Sequence, residues 1–177
     1  MLDVNEVLID RIASGFYKET HGQNRSPILD KLCLKWGYPL GSPWCALFVI
    51  DAFDLIEDEH KEISGIKIIK TAGSQAMLKW FKDRALISKN PQDLLNWKGA
   101  LAIRTDPGGK HGHVLLISER LTTNNKVVAL TTLEGNTNLA GSSNGDGAYK
   151  RKRIIPLTPY TWTFCNTSEI IGGRWWN

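Results

Sequence analysis

Residues 41–50 read Gly41-Ser42-Pro43-Trp44-Cys45-Ala46-Leu47-Phe48-Val49-Ile50. Ser42 suits a helix cap and Pro43 suits the first helical position, so the spacing predicts a helix from Pro43 to about Glu57. Its residues are apolar nearly all round, which places it inside the domain. The thiol of Cys45 then falls in the first turn, where backbone N–H groups lack helical partners and the dipole favours negative charge. A thiolate gains from that position: thiols near helix N-termini or cations drop from about 8.5 to between roughly 3.5 and 7.5. The same N–H groups can donate to an oxyanion. A cysteine in an apolar helix is otherwise a small buried hydrophobe, so the choice rests on what the rest of the chain supplies.

Outward from this helix, the two halves of the chain differ in period. Val4, Val7, Leu8, Ile12 and Phe16 recur at helical spacing over residues 4–18. A polar loop, His21-Gly22-Gln23-Asn24-Arg25, separates them from a second helix that Ser26-Pro27 opens and Gly37 closes. A fourth helix over about 74–84 carries Ala76, Met77, Trp80 and Phe81. Beyond Pro91 the pattern becomes short β-rich runs: Ala100–Arg104, His113–Ser118, Lys126–Leu133, Ala148–Ile155 and Ile170–Trp175. Asp106-Pro107-Gly108-Gly109 and Thr123-Asn124-Asn125 read as turns, and Leu139–Gly147 reads as a surface loop. Helices first and consecutive strands after imply one α+β domain with helices packed on an antiparallel sheet.

The totals fit that reading. A chain of 177 residues with 42% hydrophobic and 23% charged residues is an ordinary globular domain. The net charge of +4 is too modest to select among wall polymer, nucleic acid and acidic lipid. The run Lys150-Arg151-Lys152-Arg153 reads as the solvated edge of a strand. Three cysteines without regular spacing, Cys33, Cys45 and Cys165, argue against a disulfide framework and a zinc site. Cys33 and Cys165 are expected in the core. The N-terminal stretch lacks the basic n-region and apolar h-region of a signal peptide, and no segment approaches the ~18 apolar residues of a membrane span. The expectation is synthesis in the cytoplasm as a soluble chain, with no membrane insertion and no nucleic-acid partner.

A thiol nucleophile needs a base. His21 lies in a polar loop and His60 in a charged stretch. His113 follows Gly112 and enters Val114-Leu115-Leu116-Ile117, so a strand fixes its backbone while the ring stays at the rim. It is the first choice, and His111 the second. Glu134-Gly135-Asn136 ends the Lys126–Leu133 strand and puts a carboxylate and an amide on one face if the chain stays extended. Glu134 can then hold one imidazole nitrogen of His113 while the other faces Cys45, with Asn136 assisting. The plain alternative is a polar turn.

Gly22-Gln23-Asn24-Arg25, Pro43-Trp44-Cys45-Ala46-Leu47-Phe48-Val49, Gly112-His113-Val114 and Glu134-Gly135-Asn136-Thr137, in this order, resemble a CHAP domain, a cysteine- and histidine-dependent amidohydrolase/peptidase of papain-like fold. The Gly-rich loop returning to Tyr149–Arg153 resembles the family's closing section, so the resemblance spans about residues 20–155. It implies Cys45 as nucleophile, His113 as general base and then acid, Glu134 as orienting carboxylate and Asn136 as a further polar member. It implies cleavage of amide bonds in bacterial peptidoglycan, as amidase or as stem or cross-bridge endopeptidase, with no cofactor or metal. Trp44 stands where many papain-like sites place a Gln donor. Trp44 and Tyr38 are candidate substrate-binding residues, and the second oxyanion donor lies between Tyr38 and Gln23. Ala100-Leu101-Ala102-Ile103 replaces the Gly-Asp that relatives often carry. No repeat or appended module resembles a wall-binding domain. The expected setting is a monomer working in the periplasm or at the wall after delivery by a holin or a secretion system. It is either a phage lysin or an antibacterial effector, the second implying an immunity protein. The alternatives are a papain-like amidase or peptidase on a non-wall substrate and an inactive module that binds wall fragments.

Overall fold

Ser26 adopts extended backbone, φ −164°, and its side chain accepts the Leu29 N–H at 3.2 Å, so α2 (Pro27–Lys35) starts where a Ser-Pro pair should start it. It ends in a Schellman closure: Gly37, at φ +73°, donates to Leu34 O at 3.2 Å and Tyr38 donates to Cys33 O at 2.8 Å. The same device ends α1 (Val4–Ala13) at Gly15, short of the expected residue 18. There Gly15 donates to Ile12 O and Phe16 to Arg11 O. α3 (Cys45–Glu59) and α4 (Ser74–Lys82) complete the helical half. The computed structural model describes residues 4–59, 67–138, 145–157, 161–168 and 170.

The strands are β1 (Ile87–Ser88), β2 (Ala100–Thr105), β3 (Gly112–Thr123), β4 (Lys126–Thr137), β5 (Gly147–Ile154) and β6 (Thr161–Asn166), with a 3₁₀ helix at Pro91–Asn96 after β1. They form one antiparallel sheet in the order β1-β6-β2-β3-β4-β5. The molecule is therefore the expected α+β domain. Two strands are additions to the sequence reading, β1 and β6. The expected strand Ile170–Trp175 falls, beyond Ile170, outside the described residues, as does most of the loop Leu139–Gly147.

Alternation along the strands gives the sheet two buried faces. Leu101, Ile103, Val114, Leu116, Leu133 and Cys165 pack under the helices with Phe48, Ile50, Met77 and Phe81. Ala100, Ala102, Leu115, Ile117, Leu130, Trp162 and Phe164 form the second face, covered by Leu94 of the 3₁₀ helix. Cys33 and Cys165 are both buried, as expected. The sheet curls around this second face. β5 and β6 are four strand spacings apart, about 19 Å in a flat sheet, yet the Arg153 guanidinium on β5 sits 5.2 Å from the ring centre of Trp162 on β6. Register shifts between Ile117 and Glu119, Leu121 and Thr122, and Glu134 and Thr137 mark bulges that bend the long β3–β4–β5 ribbon. Among the described residues no helix is long and apolar enough to cross a membrane.

Candidate active site

The helix bearing the thiol starts at Cys45, not at Pro43. Phe48 N–H donates to Trp44 O at 2.8 Å, which makes Trp44 the cap residue and Cys45 the first helical residue. Ser42 does not cap it: its hydroxyl donates to Pro39 O at 2.7 Å. At this position the Cys45 N–H has no partner within the helix, which suits it to an oxyanion.

The expectation that Trp44 touches substrate is corrected by its position. Its side chain is 0% exposed, stacked on Tyr17 with ring centres 6.5 Å apart, and it belongs to the core. Tyr17 in turn meets Phe48 edge to face at 5.0 Å and donates to Asp51 Oδ2 at 2.6 Å. The Trp44 indole N–H points at Glu19 Oε1 at 3.5 Å, and Glu19 Oε2 accepts the Asn24 N–H at 3.0 Å. Gly22, Gln23 and Asn24 all take left-handed backbone, and the Asn24 amide donates to Gly41 O at 3.0 Å. The Gly-Gln-Asn loop is thus a clamp that holds the first turn of α3 in place. Gln23 is exposed within it, and Tyr38 is half-buried against the helix-side core.

His113 enters β3 opposite Arg104 of β2. The preceding Gly112 has no alternative residue. A Cβ there would lie 2.0 Å from Arg104 O and 2.3 Å from Gln75 Nε2, the amide that donates to Arg104 O at 2.9 Å. His111 and His21 are exposed, and His60 lies outside the described residues.

Gly135 serves β4 in the same way. A Cβ would lie 2.5 Å from the Phe48 Cβ and 2.7 Å from Trp44 Cζ3, so glycine lets the strand close on the first turn of α3. On one side of it, Glu134 is wholly buried and its Oε2 lies 3.3 Å from His113 Nε2. On the other, Asn136 sits at φ +55° in the bulge, buried, with neither amide atom hydrogen-bonded among the described residues. Asparagine tolerates that backbone better than most side chains.

The structure therefore brings Cys45, His113 and Glu134 into one buried cluster, and places Asn136 beside Glu134 in the chain. Burial opposes charge on the Cys45 thiol, yet its contact with His113 and the backbone N–H groups of Val114 and Ala46 hold it below the ordinary thiol range. Burial equally opposes an imidazolium, but Cys45 and Glu134 push His113 up to about 9. Burial opposes the Glu134 carboxylate too, and His113 and Arg153 outweigh it, down to about 2. The arrangement favours a thiolate–imidazolium pair. At 3.3 Å, and without an aligned hydrogen bond at either ring nitrogen, the histidine contact is looser than a tight charged bond. Cys45 keeps 5% of its surface accessible, so reagents reach it only narrowly.

Two further side chains belong to this cluster: Thr132, which the sequence did not single out, and Arg153, which the expected solvated strand edge placed in solvent. Arg153 forks onto Glu134, Nε to Oε1 at 2.7 Å and Nη2 to Oε2 at 2.6 Å, and the Thr132 hydroxyl donates to Oε1 at 2.6 Å. Lys150 and Lys152 are exposed as a strand edge should be, whereas Arg151 and Arg153 are half-buried. Strict alternation from a known strand register was the available signal.

Set against known proteins, the chain matches no family model, no curated protein and no solved structure.

Proposed function

We propose that this protein is a papain-like cysteine hydrolase that cleaves amide bonds of bacterial peptidoglycan, as amidase or endopeptidase, through a thioester acyl-enzyme. The observation that carries the reading is the convergence of a thiol at the first residue of a helix, an imidazole entering a strand and a buried carboxylate 3.3 Å from that imidazole. The thiolate of Cys45 adds to the amide carbonyl carbon, and the N–H of Cys45 faces the resulting oxyanion. The C–N bond breaks as His113 gives its proton to the leaving amine. Water, losing a proton to His113, then attacks the thioester, and the C–S bond breaks to release the acid and restore the pair. Glu134 keeps the imidazole oriented through both steps. The wall as substrate rests on the resemblance of the four motifs to CHAP domains. With it comes the expected setting, delivery to the wall as a phage lysin or as an effector countered by an immunity protein.

A wall-binding module without activity is the weaker reading. Trp44, the tryptophan beside the thiol, is buried and offers no stacking surface to a wall fragment. Purified protein mixed with sacculi tests the proposal. New primary amines should appear, and Cys45→Ala should abolish them; full activity in Cys45→Ala would contradict it.

A further inference from the structure

We propose that Arg153 is a positioning residue of this site, its guanidinium fork holding the Glu134 carboxylate ionised and 3.3 Å from His113. The inference deepens the hydrolase reading and rests on it.

Glu134 is wholly buried, and a carboxylate in such a place ordinarily takes up a proton unless a cation is bonded to it. Arg153 supplies two parallel N–H···O contacts, at 2.7 and 2.6 Å, the planar match that lysine cannot make. Thr132 fills a third acceptor position at 2.6 Å. The guanidinium is itself held, 5.2 Å over the Trp162 ring across the curled sheet. Its neighbour Arg151 goes elsewhere, donating to Asn138 O at 3.1 Å. Of the four basic residues in the run, Arg153 is the one on the carboxylate.

The consequence is a chain of alternating charge: Arg153 positive, Glu134 negative, His113 positive, Cys45 negative. Its sum is zero, which a buried site tolerates. Without Arg153 the sum can return to zero in two ways. Glu134 takes a proton, and the imidazolium loses its partner. Or Glu134 stays ionised and balances His113 alone, and the sulfur takes the proton. Both outcomes lower the thiolate fraction at Cys45.

The test reads the thiol and needs no wall substrate. The full chain and its variants are treated with iodoacetamide from pH 5 to 10, and modification of the Cys45 peptide is timed by mass spectrometry. Wild type should react with an inflection below that of an ordinary thiol. Arg153→Gln should react at least tenfold more slowly at pH 6, with its inflection moved up by at least one pH unit. Arg153→Lys, which keeps the charge and loses the fork, should fall between them. In a Glu134→Gln background, Arg153→Gln should change nothing further. An unchanged inflection in Arg153→Gln, or an equal shift with Glu134 already removed, overturns the proposal. If thermal melting shows Arg153→Gln unfolded, Arg153→Lys decides, and an inflection identical to wild type overturns the role of the fork. Failure of the hydrolase reading is recognised separately, by wild-type protein that releases no amines from sacculi.

Discussion

Nε2 of His113 stands 3.3 Å from Oε2 of Glu134, and neither side chain has appreciable contact with solvent. Two groups charged in such a place tie folding to pH. Glu134 titrates lower when folded than its ordinary 4.5, down to about 2. Its contribution is therefore full above about pH 4.5 and is lost as pH falls toward 2, because the unfolded chain binds the proton first. His113 titrates higher when folded than its ordinary 6.5, up to about 9. Its contribution is full below about pH 6.5 and is lost as pH rises through 9. The stability of wild type over Glu134→Gln should be greatest between these windows, on the order of a few kcal/mol, and should shrink on both sides. Urea unfolding at a series of pH values measures it, and a difference independent of pH would refute the coupling.

Trp44 should behave as a core residue. Trp44→Ala is expected to lose about 3–5 kcal/mol of stability, and Trp44→Phe, which keeps a ring beside Tyr17, markedly less. Neither should act chiefly through KM in the folded protein. Urea unfolding alongside muropeptide kinetics separates the effects. A Trp44→Phe variant of unchanged stability with a tenfold higher KM would return this residue to the substrate surface.

The Gly135 contact makes a sharper demand. The Cβ of Gly135→Ala would meet Phe48 and Trp44 at 2.5 and 2.7 Å. Overpacking of this kind costs about 1–3 kcal/mol. Here it also pushes β4 away from the helix that carries the thiol, so activity should fall more than stability does. Thermal melting and amine release from sacculi, measured on one preparation, test the pairing of the two losses.

At the end of α4, Ala85 occupies the left-handed position of a Schellman closure, φ +56°, donating to Lys82 O at 3.0 Å while Leu86 donates to Phe81 O at 3.1 Å. A side chain there costs about 1–2 kcal/mol, partly offset by the greater freedom of an unfolded glycine. Ala85→Gly should therefore stabilise by about 0.5–1 kcal/mol, seen as a higher melting temperature with unchanged activity. A lower melting temperature would contradict the assignment.

The helical half and the longer strands were legible because their apolar periods are long; Ser26-Pro27 and Gly37 bound α2 as read, whereas Ser42-Pro43 lies ahead of the helix that starts at Cys45. Gly15, which ends α1, carries such a signal too, but Phe16 continues the helical spacing and masks it. β1 is too short to show a period. Thr161–Asn166 alternates properly, with Trp162 and Phe164 inward, yet six residues show too short a period to stand out beside Ile170–Trp175. Cys45, His113 and Glu134 could be read because each sits at the end of an element that fixes its backbone. Trp44 could not, since its burial depends on a glycine ninety-odd residues later leaving room for it. Arg153 could be read only in part: alternation separates Arg151 and Arg153 from the two lysines, but the curl of the sheet decides which of the two meets Glu134.

The most direct test of the central claim is to trap the covalent intermediate. Protein mixed with a soluble muropeptide and quenched in acid within the first turnover should carry, on the Cys45 peptide alone, a mass equal to the acyl part of the substrate, removed by hydroxylamine as a thioester is. Amines released at the full rate while Cys45 stays unmodified, and equally in Cys45→Ala, would contradict it.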